Sequence, residues 1–124
     1  MNIILDTHVL LWWYEDPKLL RKEAQEAIEK PSNNIYLSSA VIWELIIKGS
    51  LGKLKIPNAL IDGAISDFKE LPISIKHTLT LKDLETGHHD FFDRILIAQF
   101  LCENYYLRTR DKIILEYKIN LIKA

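Results

Sequence analysis

Short apolar runs alternate along this chain with longer stretches of helical spacing. Ile3-Ile4-Leu5 predicts a buried strand over residues 2–5, followed by a short helix from Thr7 to Trp13. Asp16-Pro17 reads as an N-cap and a first-turn proline, opening a helix that runs through Glu29 and stops before Pro31. Ile35-Tyr36-Leu37 predicts a second strand. Ser38 or Ser39 caps the apolar helix that carries Glu44, and Gly49 and Gly52 break it. Leu60, Ile61, Ala64, Ile65, Phe68 and Leu71 share one helical face, so one helix is expected over 60–71. Ile73-Ser74-Ile75 reads as a short strand, and Thr78 to Glu85 as a helix ending at Gly87. A strongly apolar helix is expected from Phe91 to Glu103, ending near Asn104. A strand over Tyr105 to Thr109, a short helix over Lys112 to Tyr117 and a last strand over Asn120 to Ile122 complete the pattern. Short apolar strands between helices predict an α/β fold with a central parallel sheet covered on both faces.

The chain has 124 residues, enough for a single domain over 1–124 with one core. No repeat, low-complexity tract or linker interrupts it. No apolar run reaches the roughly 20 residues of a membrane span. No basic leader precedes a long apolar stretch, so no secretory signal is expected. Cys102 is the sole cysteine, which excludes an intrachain disulfide and fits the reducing cytoplasm. Sixteen basic and 17 acidic residues give a net charge of −1. Bulk positive charge therefore cannot drive nucleic-acid binding, which would need local patches such as the three lysines of Lys48 to Lys55.

Four carboxylates interrupt the apolar pattern. Asp6 follows Ile3-Ile4-Leu5, Glu44 sits within Ala40 to Ile47, Asp93 within Phe91 to Ala98, and Asp111 follows Tyr105 to Arg110. A buried, unpaired carboxylate costs several kcal/mol or takes up a proton, and a shared divalent cation removes that cost. In open parallel α/β sheets, ligands bind beyond the carboxyl ends of the strands, where Asp6, Asp93 and Asp111 are expected. A plainer explanation covers the same three. Asp6 can cap the Thr7 helix, Asp90 the Phe91 helix with Asp93 at its third position, and Asp111 the Lys112 helix. Glu44 is beyond capping reach. It must reach solvent, pair with a base such as Lys48 one turn on, or bind a cation. Oxygen-only ligands select a hard cation, Mg²⁺ with Mn²⁺ as a close substitute. Adjacent His88-His89 lack the spacing of a zinc pair on one helix face, and His8 and His77 stand alone. Carboxylate-held Mg²⁺ suits phosphodiester hydrolysis. Glycine-rich phosphate loops, nucleophile elbows and metalloprotease patterns are missing from the sequence.

The segments Ile3 to Trp13, Ser38 to Lys48, Leu51 to Leu54, Asp90 to Gln99 and Thr109-Arg110-Asp111, in this order and spacing, resemble a PIN domain. The similarity is to the VapC toxins of bacterial and archaeal toxin–antitoxin pairs. The resemblance implies a three-layer α/β/α fold and a Mg²⁺-dependent endoribonuclease. It places the acidic quartet on Asp6, Glu44, Asp93 and Asp111. Asp6 and Asp93 would be the principal metal ligands, with Glu44 binding metal or positioning water and Asp111 completing the cluster. Thr7 and Thr109 would support these ligands through their hydroxyls, and Asp90 lies beside them. Arg94, Arg110 and Lys112 can contact RNA phosphate or pair with the acids. The family also implies a homodimer and a small antitoxin partner that blocks the site. Trp12 and Trp13 either line the antitoxin groove or pack in the core. The chain departs from the family in two places: Phe91 stands where a proline is frequent, and Arg108 where an aliphatic residue is usual. Two alternatives remain. One is a catalytically silent module that binds RNA or protein. The other is a Mg²⁺ phosphohydrolase using Asp6 as nucleophile, which would want an aspartate where His8 stands.

Overall fold

A computed structural model of the chain describes residues 1–84 and 90–104, and the backbone of 106–109 and 121–123. Its elements are β1 (Asn2–Leu5), α1 (Thr7–Glu15), α2 (Lys22–Glu29), β2 (Asn34–Ser38), α3 (Ser39–Ser50), α4 (Asn58–Asp67), β3 (Lys69–Leu71), α5 (Ile75–Thr80), α6 (Phe91–Glu103), β4 (Tyr106–Thr109) and β5 (Leu121–Lys123). The five strands form one parallel sheet in the order β3-β2-β1-β4-β5. Ile3 and Ile4 point to opposite faces of β1, yet both are fully buried. Both faces of the sheet are therefore covered, which gives the expected three layers. One apolar core joins β1 and β2 to Val9, Leu10, Ala40, Val41, Leu45 and the Ile95–Ala98 stretch of α6.

The first strand, the Ser38-capped helix and the Phe91 helix form as the pattern predicts, because local signals specify them. Ser38 accepts a hydrogen bond from the Ala40 amide, and Asp90 from the Asp93 amide, each satisfying a first-turn donor. Asn104 ends α6 in the left-handed region, at φ 57°.

Four boundaries differ from expectation. The single helix through Glu29 is a 3-10 turn at Pro17–Leu19 followed by α2, because buried Leu20 is extended. The Gln25 amide donates to the carbonyls of Pro17 and Leu20 at 2.8 and 3.0 Å, stabilising that break. The helix expected over 60–71 ends at Asp67, and its tail becomes edge strand β3. Pairing of Lys69, Glu70 and Leu71 with Tyr36, Leu37 and Ser38 overrides the helical spacing. Ser74 is no strand residue. It caps α5 in a reciprocal box with His77, so that helix starts at Ile75 rather than Thr78. Gly49 lies inside α3, and the break comes at Leu51 and Gly52, whose φ is +70°. The Gly87 helix end and the Lys112 helix fall outside the described residues.

Candidate active site

The chain starts on central β1, adds β2 and β3 on one side, then crosses back to place β4 and β5 on the other. The strand order thus reverses between β1 and β4, and a crevice is expected beyond their carboxyl ends. Leu5 pairs with Arg108, so Asp6 and Thr109 come next on neighbouring strands. Asp6 is buried and caps α1, its Oδ1 accepting from the Val9 amide at 2.9 Å. The innocent capping role predicted for Asp6 is real. It also fixes the carboxylate at the end of β1, facing the start of α1.

Glu44 is the second buried acid, 4% exposed on α3. The hydroxyl of Thr7 donates to its Oε1 through a short hydrogen bond. The ammonium of Lys48 lies 2.6 Å from its Oε2. Of the three fates open to Glu44 from sequence, pairing with Lys48 is the one seen. The hydrogen bond to Glu44 holds the Lys48 amine above its usual pKa. Burial opposes this, and the charges of Glu44, Asp90 and Asp93 add to it. Lys48 thus senses acids on two helices.

Asp90 is exposed at the N-terminus of α6, and Asp93, one turn on, is half-buried. Arg94 is half-buried beside it. Thr109 ends β4, but its side chain, and Arg110, Asp111 and Lys112 altogether, lie outside the described residues. The structure therefore links Thr7 of α1 and Glu44 and Lys48 of α3 by contact, with Asp90 and Asp93 of α6 near enough to act on the charge of Lys48, while Asp6 adjoins Thr7 in the chain. Among the described residues, the one trio of His, Cys, Asp or Glu with ligand atoms all within 4.8 Å is His77, Cys102 and Glu103. Asp6, Glu44 and Asp93 are not drawn to that spacing.

The His77 trio is a poor metal site for a specific reason. The Ser74 amide donates to His77 Nδ1 at 3.0 Å, so the ring proton sits on Nε2 and points at Glu103 Oε1, 2.7 Å away. A metal on Nε2 would need the proton on Nδ1, where a backbone donor already points. His77 is structural, as its isolation in sequence suggested.

The donors at the strand edge do suit a hard cation. They are carboxylate oxygens, and a Lys48 ammonium is already held among them, so positive charge is favoured at this position. Trp12 and Trp13 are half-buried and pack against the core. Among the described residues, the exposed large aromatics are instead Trp43 (48%) and Phe91 (60%), whose rings lie 5.7 Å apart, with buried Phe92 at 5.0 Å from Trp43. Sequence reasoning passed over them. The available signal was the spacing of Trp43, Ile46 and Ile47, which forms a stripe on the side of α3 turned away from buried Val41 and Leu45.

No curated protein sequence matches the chain. A chain of the VapBC2 complex of Rickettsia felis, bound to a DNA fragment from its promoter, superposes with a TM-score of 0.77. It is 21% identical, and 100% of this chain and 98% of that chain are covered. A chain of a toxin-antitoxin complex from Klebsiella pneumoniae is 20% identical, with coverage of 97% and 95% and a TM-score of 0.67. The PIN domain endonuclease Utp24 is 18% identical, with coverage of 99% and 84% and a TM-score of 0.61. These likenesses concern the fold. The family model for the PIN domain matches residues 3–120, nearly the whole chain. The parallel sheet, the acids at its carboxyl edge and that match agree: the chain belongs to the PIN domain family.

Proposed function

We propose that residues 1–124 form one PIN domain acting in the cytoplasm as a metal-dependent endoribonuclease toxin of the VapC kind. The reading rests on one observation above the others. Buried Glu44 is tied by one oxygen to Thr7, next to Asp6, and by the other to Lys48, which senses Asp90 and Asp93. Acids from two separate helices thus share one electrostatic neighbourhood, and Thr7 joins the end of β1 to it. Asp6 and Asp93 are assigned as the principal ligands of Mg²⁺, or of Mn²⁺ in its place. Glu44 and Asp111 complete the set, and Thr7 and Thr109 support it. The bound cation would activate water and offset charge on the phosphodiester oxygens. Arg94, Arg110 and Lys112 are assigned to RNA phosphates.

An antitoxin partner is supported by the VapBC and toxin-antitoxin complexes among the structural neighbours and by exposed apolar surface on α3 and α6. A homodimer belongs to the same reading. The test is RNA cleavage by purified protein with Mg²⁺, compared with Asp6→Asn and Glu44→Gln. Cleavage should fall at least a hundredfold in each variant, about 2.7 kcal/mol of barrier. Activity surviving both substitutions would remove the assigned site. A second reading has one observation in its favour: the Lys48–Glu44 pair gives Glu44 a role without any cation. On that reading the chain is a silent binding module, holding RNA or protein without cleavage and indifferent to chelators.

A further inference from the structure

We infer that Lys48 is a tethered counter-ion of the acidic site, competing with the divalent cation for Glu44. This rests on the metal-site reading above. Lys48 lies one turn after Glu44 on α3, with its Nζ 2.6 Å from Oε2, while Thr7 engages Oε1. Both oxygens of the buried carboxylate therefore have protein donors. The ammonium pairs with the buried carboxylate and holds it in place before any cation arrives.

The same contact opposes loading. A divalent cation on Oε2 would stand within bonding reach of an ammonium, and two positive centres on one oxygen repel. Lys48 must then withdraw. It has the means, because its side chain is 29% exposed and its four-carbon stem is flexible. The remaining lysines near α3 lack this geometry: Lys53 and Lys55 are exposed beyond Gly52. Lys48 therefore sets the threshold at which the site fills, as a positioning residue for Glu44.

The experiment measures Mn²⁺ binding by calorimetry and thermal midpoints with and without Mn²⁺, on the full chain. Wild type is compared with Lys48→Met, which keeps the stem, Lys48→Arg, which keeps the charge, and Lys53→Met as a charge control. Lys48→Met should bind Mn²⁺ about fivefold more tightly, the fold-change of an ion pair of about 1 kcal/mol. Its midpoint should lie below wild type without Mn²⁺, with the gap closing as Mn²⁺ is added. Lys48→Arg and Lys53→Met should bind as wild type. Should Lys48→Met fail to fold, Lys48→Gln carries the same criterion. Equal or weaker binding in the uncharged variant overturns the role of Lys48 while leaving the metal reading intact. If no protein in the series binds Mn²⁺, the metal reading falls and the role of Lys48 falls with it.

Discussion

Thr7 carries two duties at one position: it opens α1 directly after the capping Asp6, and its hydroxyl donates to Glu44. Valine matches its shape but not its donor. Thr7→Val should lower stability by about 1–3 kcal/mol, because a buried carboxylate oxygen loses its partner. Thr7→Ser should stay close to wild type. Urea unfolding checks this, and equal midpoints for all three proteins would mean the contact contributes nothing. Tyr14 offers a separate test by pH. Its hydroxyl donates to Asp67 Oδ2 at 2.6 Å. Burial, then the hydrogen bond and the charge of Asp67, raises its pKa well above the ordinary 10.0. The folded state thus prefers the neutral phenol more than the unfolded state does. The stabilisation is complete below the unfolded pKa and is lost as the pH rises through the folded one. The advantage of wild type over Tyr14→Phe should be constant from neutral pH to about 10 and shrink above it. An advantage that grows in alkali would show the sign to be wrong.

At the scale of elements, α6 shows how a cap and a candidate ligand divide the work. Asp90 caps the helix through the Asp93 amide, whereas Asp93 itself sits inside the first turn. Asp90→Asn should therefore keep stability, while Asp90→Ala should cost about 1 kcal/mol. Thermal unfolding distinguishes the two. If asparagine proved as damaging as alanine, the charge of Asp90 would matter beyond capping. Elements of this sort were legible from sequence because their signals are local: Asp90 before an apolar run, Ser38 before another, Asn104 at the end. What escaped was set by partners distant in sequence. The apolar spacing from Leu60 to Leu71 reads as one helix, and only the open edge of β2 turns its tail into β3. Leu20 breaks the helix expected to Glu29 because it is buried, which no neighbour in sequence announces. The four acids were legible as a set through the family resemblance. The donor to Glu44 from 37 residues away, Thr7, was visible in sequence only as a support to the site.

Across the whole molecule, the crossovers that hold the acidic edge together meet at one buried polar residue. Gln99, fully buried on α6, accepts from the Ser38 hydroxyl at the β2–α3 junction. Its amide lies 3.3 Å from the Pro72 carbonyl, just past β3, and 3.4 Å from His77 Nδ1 on α5. Ser38 in turn caps the helix that carries Glu44, and α6 carries Asp93. The distance between these two acids therefore depends on a hydrogen-bonded junction in the interior as well as on apolar packing. Gln99→Leu preserves approximate volume but leaves the Ser38 O–H without its acceptor and the Pro72 carbonyl without its donor, so a loss of about 2–6 kcal/mol is expected, from two groups at about 1–3 kcal/mol each. Ser38→Ala removes a partner and a cap. Once Gln99 is leucine, however, the Ser38 hydroxyl no longer has a bond to lose there. The double variant should accordingly be less destabilised than the sum of the singles, by about 0.5–3 kcal/mol, as for residues in one network. Urea unfolding of the four proteins closes that cycle. Strict additivity would mean that Ser38 and Gln99 act independently, and that the spacing of Glu44 and Asp93 is set by the apolar core alone.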